Sequence, residues 1–216
     1  MMKKMVIVVM ATLMIMTLPS FAHANLLTNA SFEDGPEGQF VDGSTTLIPG
    51  WEIWGNSGWH HSDWNRTPGG SKAIRTWWDN AGLFQDFSAT AGTSYDIGGY
   101  AYSPSSDPVH LWDSRLKVEW YDSVGAKTSE EEIGRFDGAT DPLNTWKYVS
   151  NTETAPSGAV RGRVVLNLTD WQDGVSGSVG WDDMSVEANS IPEPTSLLLL
   201  GSGLLGLLGL GKRTAK

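Results

Sequence analysis

Between Asn25 and Ser190, apolar side chains recur at every second position in short runs, and no long stretch keeps a 3.6-residue period. Successive side chains of an extended strand point to opposite faces, so this alternation describes strands with one buried and one wet face. Tyr95–Tyr102 is the clearest run. Tyr95, Ile97, Gly99 and Ala101 share one face; Asp96, Gly98, Tyr100 and Tyr102 share the other. Leu116–Tyr121 sets Leu116, Val118 and Trp120 against Lys117, Glu119 and Tyr121. Val160–Thr169 sets Val164, Leu166 and Leu168 against Arg161, Arg163, Val165, Asn167 and Thr169, and Val179–Glu187 closes the series. Gly, Pro, Asn and Asp clusters separate the runs, as in an antiparallel β-sandwich. The predicted fold is all-β, without internal repeats.

Both ends of the 216-residue chain differ from this middle. Residues 1–24 read as a signal peptide: Lys3 and Lys4, the apolar stretch Val6–Leu18, then Ala22-His23-Ala24, with cleavage expected between Ala24 and Asn25. As a helix that stretch spans about 20 Å, short of the ~30 Å hydrocarbon core. Residues 191–216 hold Pro192-Glu193-Pro194, a Leu/Gly run over 197–210, and a basic end of Lys212, Arg213 and Lys216. That run also makes only a short helix, about 21 Å. The expected domains are therefore 1–24, 25–190 and 191–216.

Composition excludes several chemistries. The formal net charge is −10; removing both tails leaves 10 Lys and Arg against 24 Asp and Glu over 25–192, or −14. Nucleic acid needs a basic face, so it is excluded as a partner. There are no cysteines, hence no disulfides, thiolate metal sites or cysteine catalysis. The 11 tryptophans all fall between Trp51 and Trp181.

The tail resembles the PEP-CTERM sorting signal of Gram-negative bacteria, on the strength of its Pro-Glu-Pro, its Leu/Gly run and its basic end. The resemblance implies export through the Sec machinery, transient insertion in the inner membrane, and processing near Pro192 by an exosortase. It places the mature protein at the cell surface or in an extracellular matrix, where such proteins accompany exopolysaccharide and biofilm.

The middle carries a second resemblance. Asn25-Leu-Leu-Thr-Asn-Ala-Ser-Phe-Glu-Asp-Gly35, then Ile48-Pro-Gly-Trp51-Glu-Ile-Trp54-Gly55, is similar to the opening of CenC-type carbohydrate-binding modules. Val179-Gly-Trp-Asp182-Asp183-Met-Ser-Val186-Glu187 is similar to their closing strand, and Pro156-Ser-Gly158 also fits. This implies a galactose-binding-like jelly roll. It also implies a structural Ca²⁺ where first and last strands meet, held by Glu33, Asp182 and carbonyls around Ser71 and Lys72. Parity puts Asp182 on the face of Met184 and Val186, toward the core, where a carboxylate needs a counter-charge or donors.

A pyranose has one apolar, weakly positive C–H face that suits an aromatic ring, and hydroxyls that suit amide, carboxylate and guanidinium groups. Tyr100, Tyr102, Glu119, Tyr121, Arg163 and Asn167 lie on polar strand faces and would form one concave patch if their strands adjoin. Trp77, Trp78 and Trp171 add rings from loops. Trp51, Trp120, Trp146 and Trp181 are expected in the core. The acidic chain favours neutral or cationic glycans.

No Gly-x-Ser-x-Gly, His-Glu-x-x-His or phosphate loop occurs, and no carboxylate pair is marked for glycoside hydrolysis. The leading expectation is a non-catalytic polysaccharide-binding protein. A purely structural surface protein comes next, and a polysaccharide-degrading enzyme is a distant third.

Overall fold

A computed structural model describes residues 24–40, 47–55, 58–61, 64–68, 70–77, 81–109, 114–168 and 177–189. In chain order the strands are β1 (Gly38–Phe40), β2 (Glu52–Trp54), β3 (Gly58–His61), β4 (Ala73–Trp77), β5 (Ala81–Ser88), β6 (Ser94–Tyr102), β7 (Ser114–Tyr121), β8 (Lys127–Phe136), β9 (Lys147–Thr154), β10 (Arg161–Leu168) and β11 (Ser178–Ala188). They form two sheets, β1-β3-β4-β11-β6-β9 and β2-β5-β10-β7-β8, with all strand pairs antiparallel. The fold is a jelly-roll sandwich. The expected signal peptide and sorting tail lie outside the described residues, apart from Ala24 and Asn25 at the cleavage junction.

The sandwich follows from the alternation. In the second sheet Leu83, Phe87, Leu116, Val118, Trp120, Val164, Leu166 and Leu168 turn inward and are buried. Across from them the first sheet supplies Ile74, Tyr95, Ile97, Ala101, Val179, Trp181, Met184 and Val186. Three rings link the layers: Phe87 lies 5.5 Å from Tyr95 and 5.9 Å edge-on to Trp120, and Tyr95 lies 5.6 Å from Trp120. Such offset and edge-on pairs satisfy the ring quadrupoles as well as burying area. Gly162 faces Phe87, and any side chain there would collide with the ring.

The opening segment packs without becoming a strand. Phe32 is fully buried 4.9 Å from the ring of Trp51, whose indole N–H donates to the Asn29 carbonyl at 3.1 Å. The inward Gln85 is satisfied by this segment: its Oε1 accepts from Thr28 N at 2.7 Å and its Nε2 donates to Thr28 O at 2.9 Å.

Two expectations about side-chain placement are corrected. Trp51, Trp120 and Trp181 are core residues, but Trp146 is half-buried and packs on the outer face of the first sheet, 5.2 Å from Tyr102. Asp182 does not share a face with Met184 and Val186. A bulge between Asp182 and Ser185, with Asp183 at φ 47°, shifts the register of β11 against β6. Asp182 pairs with outward-facing Tyr100, while Met184 turns inward onto Gly99. One extra residue reverses parity.

Candidate functional site

Register places side chains in rows across the outer face of the second sheet. One row runs Glu52, Phe84, Val165, Lys117 and Glu132; the next runs Asp86, Arg163, Glu119 and Glu130. On the other side of the Phe84 row lie Trp54, Gly82, Asn167, Arg115 and Arg135. A cleft of about 210 Å³ opens here, lined by Trp54, Phe84, Lys117, Glu119, Arg163, Val165 and Asn167. A larger depression, about 400 Å³, continues from Phe84 and Asp86 to Leu26 and Glu52.

The ring at the cleft wall is set by a missing side chain. Trp54 follows buried Ile53, so parity turns it outward, and its indole lies across Gly82, where a Cβ would collide with it. Phe84 stands 6.1 Å from Trp54, centroid to centroid. Arg163 covers the Phe84 ring at 3.8 Å and donates to both carboxylate oxygens of Asp86, at 2.6 and 3.1 Å. This clamp, with Asp86 as the main cause, holds the Arg163 pKa above its ordinary value. Asn167 is 8% exposed, and its side-chain amide makes no hydrogen bond to any described residue. Buried polar groups are ordinarily paired, so an open amide in a cleft wall suits a ligand oxygen.

The far side of the face is a charge network. Tyr121 donates to Glu119 at 2.5 Å; burial first, then this bond, raises its pKa. Lys127 donates to Glu119 at 3.2 Å and to Glu130 at 2.7 Å, and Lys117 donates to Glu130 at 3.0 Å. These lysines, Lys127 foremost, hold the Glu130 pKa down to about 2.

The predicted sugar-binding residues therefore divide between two faces. Glu119, Tyr121, Arg163 and Asn167 come together on the second sheet. Tyr100 and Tyr102 lie on the outer face of β6 in the first sheet, with Trp77 of β4 on that same side, so the expected single patch does not form. There Tyr102 lies between Trp64, at 5.3 Å, and Trp146, while Tyr100 lies 4.8 Å from Tyr148 with the Arg66 guanidinium 3.4 Å over its ring. Trp77 flanks Arg75, 5.4 Å from its ring. Trp78 and Trp171, and Pro192, Glu193 and Pro194 of the tail, lie outside the described residues. Trp54, Phe84, Lys117 and Val165 were missed. Parity from buried Ile53 would have turned Trp54 outward, whereas the inward polar Gln85 hid the alternation around Phe84.

At the expected metal pole, Glu33 accepts the backbone N–H of Ser71 at 2.8 Å and of Lys72 at 3.2 Å, so amides rather than carbonyls meet the carboxylate. Lys72 Nζ donates to the carbonyls of Glu33, at 3.0 Å, and Gly35, at 2.7 Å. Asp182 accepts from Arg66 N at 2.7 Å, Thr67 N at 3.1 Å, Thr67 Oγ1 at 3.0 Å and Asp183 N at 2.7 Å. Burial raises its pKa, and these donors pull the other way. Among the described residues no three His, Asp or Glu side chains converge on a metal position.

Residues 190–213 match the PEP-CTERM protein-sorting motif, which marks an exported protein. No curated protein matches the chain. Among solved structures, the chain is similar to an arabinose-bound α-L-arabinofuranosidase, with 12% identity and a TM-score of 0.57 over 78% of this chain and 27% of that one. It is also similar to the CBM22-1-GH10 modules of Clostridium thermocellum endo-1,4-β-D-xylanase 10B complexed with xylohexaose, with 12% identity and a TM-score of 0.50 over 77% and 29% of the two chains. The CBM22-1 xylan-binding domain of Paenibacillus barcinonensis Xyn10C matches over 77% of this chain and 96% of its own, at 14% identity and a TM-score of 0.48. The chain spans under a third of the two enzymes, and at these identities the likeness is one of fold.

Proposed function

We propose that this chain is an exported, non-catalytic carbohydrate-binding protein whose ligand lies across the outer face of β2, β5, β10 and β7. The observation that carries the reading is Trp54 laid over Gly82 beside the open amide of Asn167. The indole offers a stacking surface and the amide a donor and an acceptor for hydroxyls. One stacked ring contributes ~1–3 kcal/mol, by analogy with bases on aromatic side chains. With a second ring and a few hydrogen bonds the total would reach ~4–7 kcal/mol, millimolar to roughly ten-micromolar affinity, and one ring alone gives the weaker end. The xylohexaose complex of a protein sharing this fold supports the ligand class. A binder is favoured over an enzyme because Glu119, the cleft carboxylate, is already held by Tyr121 and Lys127.

The test is saturable binding of the full-length chain, in mild detergent, to a panel of polysaccharides. Binding that Trp54→Ala weakens about tenfold or more supports the reading; a folded protein that binds no member overturns it.

The sorting motif supports Sec export, cleavage between Ala24 and Asn25, and exosortase processing near Pro192-Glu193-Pro194. The protein would then act at the cell surface or in the matrix of a Gram-negative bacterium, on exopolysaccharide. Mass spectrometry of the exported protein tests this: Asn25 as the new N-terminus and loss of the tail support it, and an intact chain overturns it.

Calcium enters the proposal at Glu33. Its carboxylate and the Glu33 and Gly35 carbonyls are oxygens of the kind Ca²⁺ takes. Lys72 Nζ now lies on both carbonyls, so an ion would exchange for that ammonium. Asp182 is satisfied by Arg66, Thr67 and Asp183 and would reinforce the pole without ligating. A higher melting temperature in about 2 mM Ca²⁺ than in EDTA supports the exchange; identical melting overturns it and leaves the glycan reading intact.

A further inference from the structure

The Trp54 row continues past Asn167 to Arg115 and then Arg135. Arg115 is directly opposite Asn167 in the ladder. Its Nε is buried without a hydrogen-bond partner, and Glu132 Oε2 pairs with it only as an ion, at 3.6 Å, beyond hydrogen-bond range. Glu132 is meanwhile committed to Arg135 at 2.7 Å. Two guanidiniums thus share one carboxylate, Arg135 on its Oε1 and Arg115 in a longer ion pair with its Oε2, so Arg115 is only partly matched. Beside it in the cleft wall stands Asn167, a residue only 8% exposed, whose amide bonds no described residue.

From this juxtaposition we infer that the glycan is acidic: the sugar unit next to the one stacked on Trp54 carries a carboxylate, as in a uronic acid, that docks on Arg115 and accepts from the Asn167 amide. The inference rests on the carbohydrate-binding reading above and specifies its ligand. A hydroxyl would satisfy a hydrogen bond but add no charge where Arg115 and Arg135 share the single carboxylate of Glu132, whereas a carboxylate matches the planar guanidinium fork in both shape and charge. Distances agree. Neighbouring strands are about 4.8 Å apart, so Gly82 to Arg115 spans about 10 Å, two pyranose widths. A unit over Gly82 stacks on Trp54, and the next lies over Asn167 with its carboxylate toward β7.

Electrostatics permit an anion on this face although the whole chain is acidic. Arg115, Lys117, Lys127, Arg135, Arg161 and Arg163 all project here, against Glu52, Asp86, Glu119, Glu130 and Glu132. The face is near neutral on a chain of net charge −10. The expectation of neutral or cationic glycans came from that total, and the fold concentrates the cations on the cleft side.

The test is isothermal titration of the full-length chain in detergent with oligosaccharides of polygalacturonate, alginate and hyaluronan, each beside its carboxyl-reduced form. The expected result is saturable binding of at least one uronate, weakened tenfold or more by carboxyl reduction. Arg115→Gln should weaken the acidic form about tenfold and the reduced form by clearly less. Equal binding of acidic and reduced forms, or binding of neutral polysaccharides alone, overturns the acidic ligand and leaves the carbohydrate reading standing. A folded chain that binds neither these nor any neutral polysaccharide overturns both. The comparison of acidic with reduced glycan uses the unaltered chain, so it holds even where Arg115→Gln fails to fold.

Discussion

Asn25 Oδ1 accepts the backbone N–H of Val186 at 3.0 Å, joining positions 161 residues apart. The same amide donates to the Met184 carbonyl at 2.8 Å, its Oδ1 also accepts Leu27 N at 3.1 Å, and Leu26 N donates to the Val186 carbonyl at 2.8 Å. The opening segment is thereby fastened along the last strand just beyond its bulge. Asn25→Ala removes three bonds and leaves backbone groups to water. The expected loss is about 1–2 kcal/mol of unfolding free energy, read from denaturant titration.

Trp54 and Gly82 give a paired prediction. Trp54→Ala removes a half-buried ring and should lower glycan affinity tenfold or more with little change in melting temperature. Gly82→Ala pushes a methyl into that ring and against the Leu166 carbonyl. It should lower both affinity and stability, the latter by about 1–3 kcal/mol. Calorimetric binding and thermal melts of the two variants check this.

Tyr102 should behave in the opposite way. Its ring is packed between Trp64 and Trp146 on the first sheet, away from the cleft. Tyr102→Ala is expected to destabilise by about 1–3 kcal/mol and to leave glycan affinity unchanged. A loss of affinity at unchanged stability would move the binding face to the first sheet.

Glu130 sets an acid-side dependence. Lys127 and Lys117 lower its pKa from 4.5 to about 2. A carboxyl depressed in the folded state adds stability above its unfolded pKa and loses it as pH falls through the folded one. The window here runs from pH about 4.5 to about 2. The side chain is 36% exposed, so screening limits the effect to about a few tenths of a kcal/mol. Glu130→Gln should flatten the stability curve in that window by this amount.

Much of the layering was legible from alternation. The faces of Leu116–Tyr121 and, over Arg161–Leu168, of the β10 run lie as parity placed them, because one side of each strand is buried and a one-residue slip would invert every side chain. Parity failed at Asp182, where the chain inserts a residue. A positive φ at a non-glycine leaves no mark in an apolar pattern, so the bulge was invisible. It failed again for the binding patch, because alternation states which side of a strand is wet and not which strands are neighbours.

The sequence by itself determined that this chain is a two-layer β protein with a sorting tail, since period-two burial and the ordered motif, apolar run and basic end are local properties. Which outward side chains share the candidate site was settled by strand pairing. β10 takes its place between β5 and β7 by pairings that close loops of tens of residues, bringing Arg163 to Asp86 and Asn167 to Arg115. β6 pairs instead with β9 and β11 in the other sheet and carries Tyr100 and Tyr102 with it. Such partner choice depends on how the whole core fills, because each strand offers the same backbone donors and acceptors to any neighbour that fits its buried face.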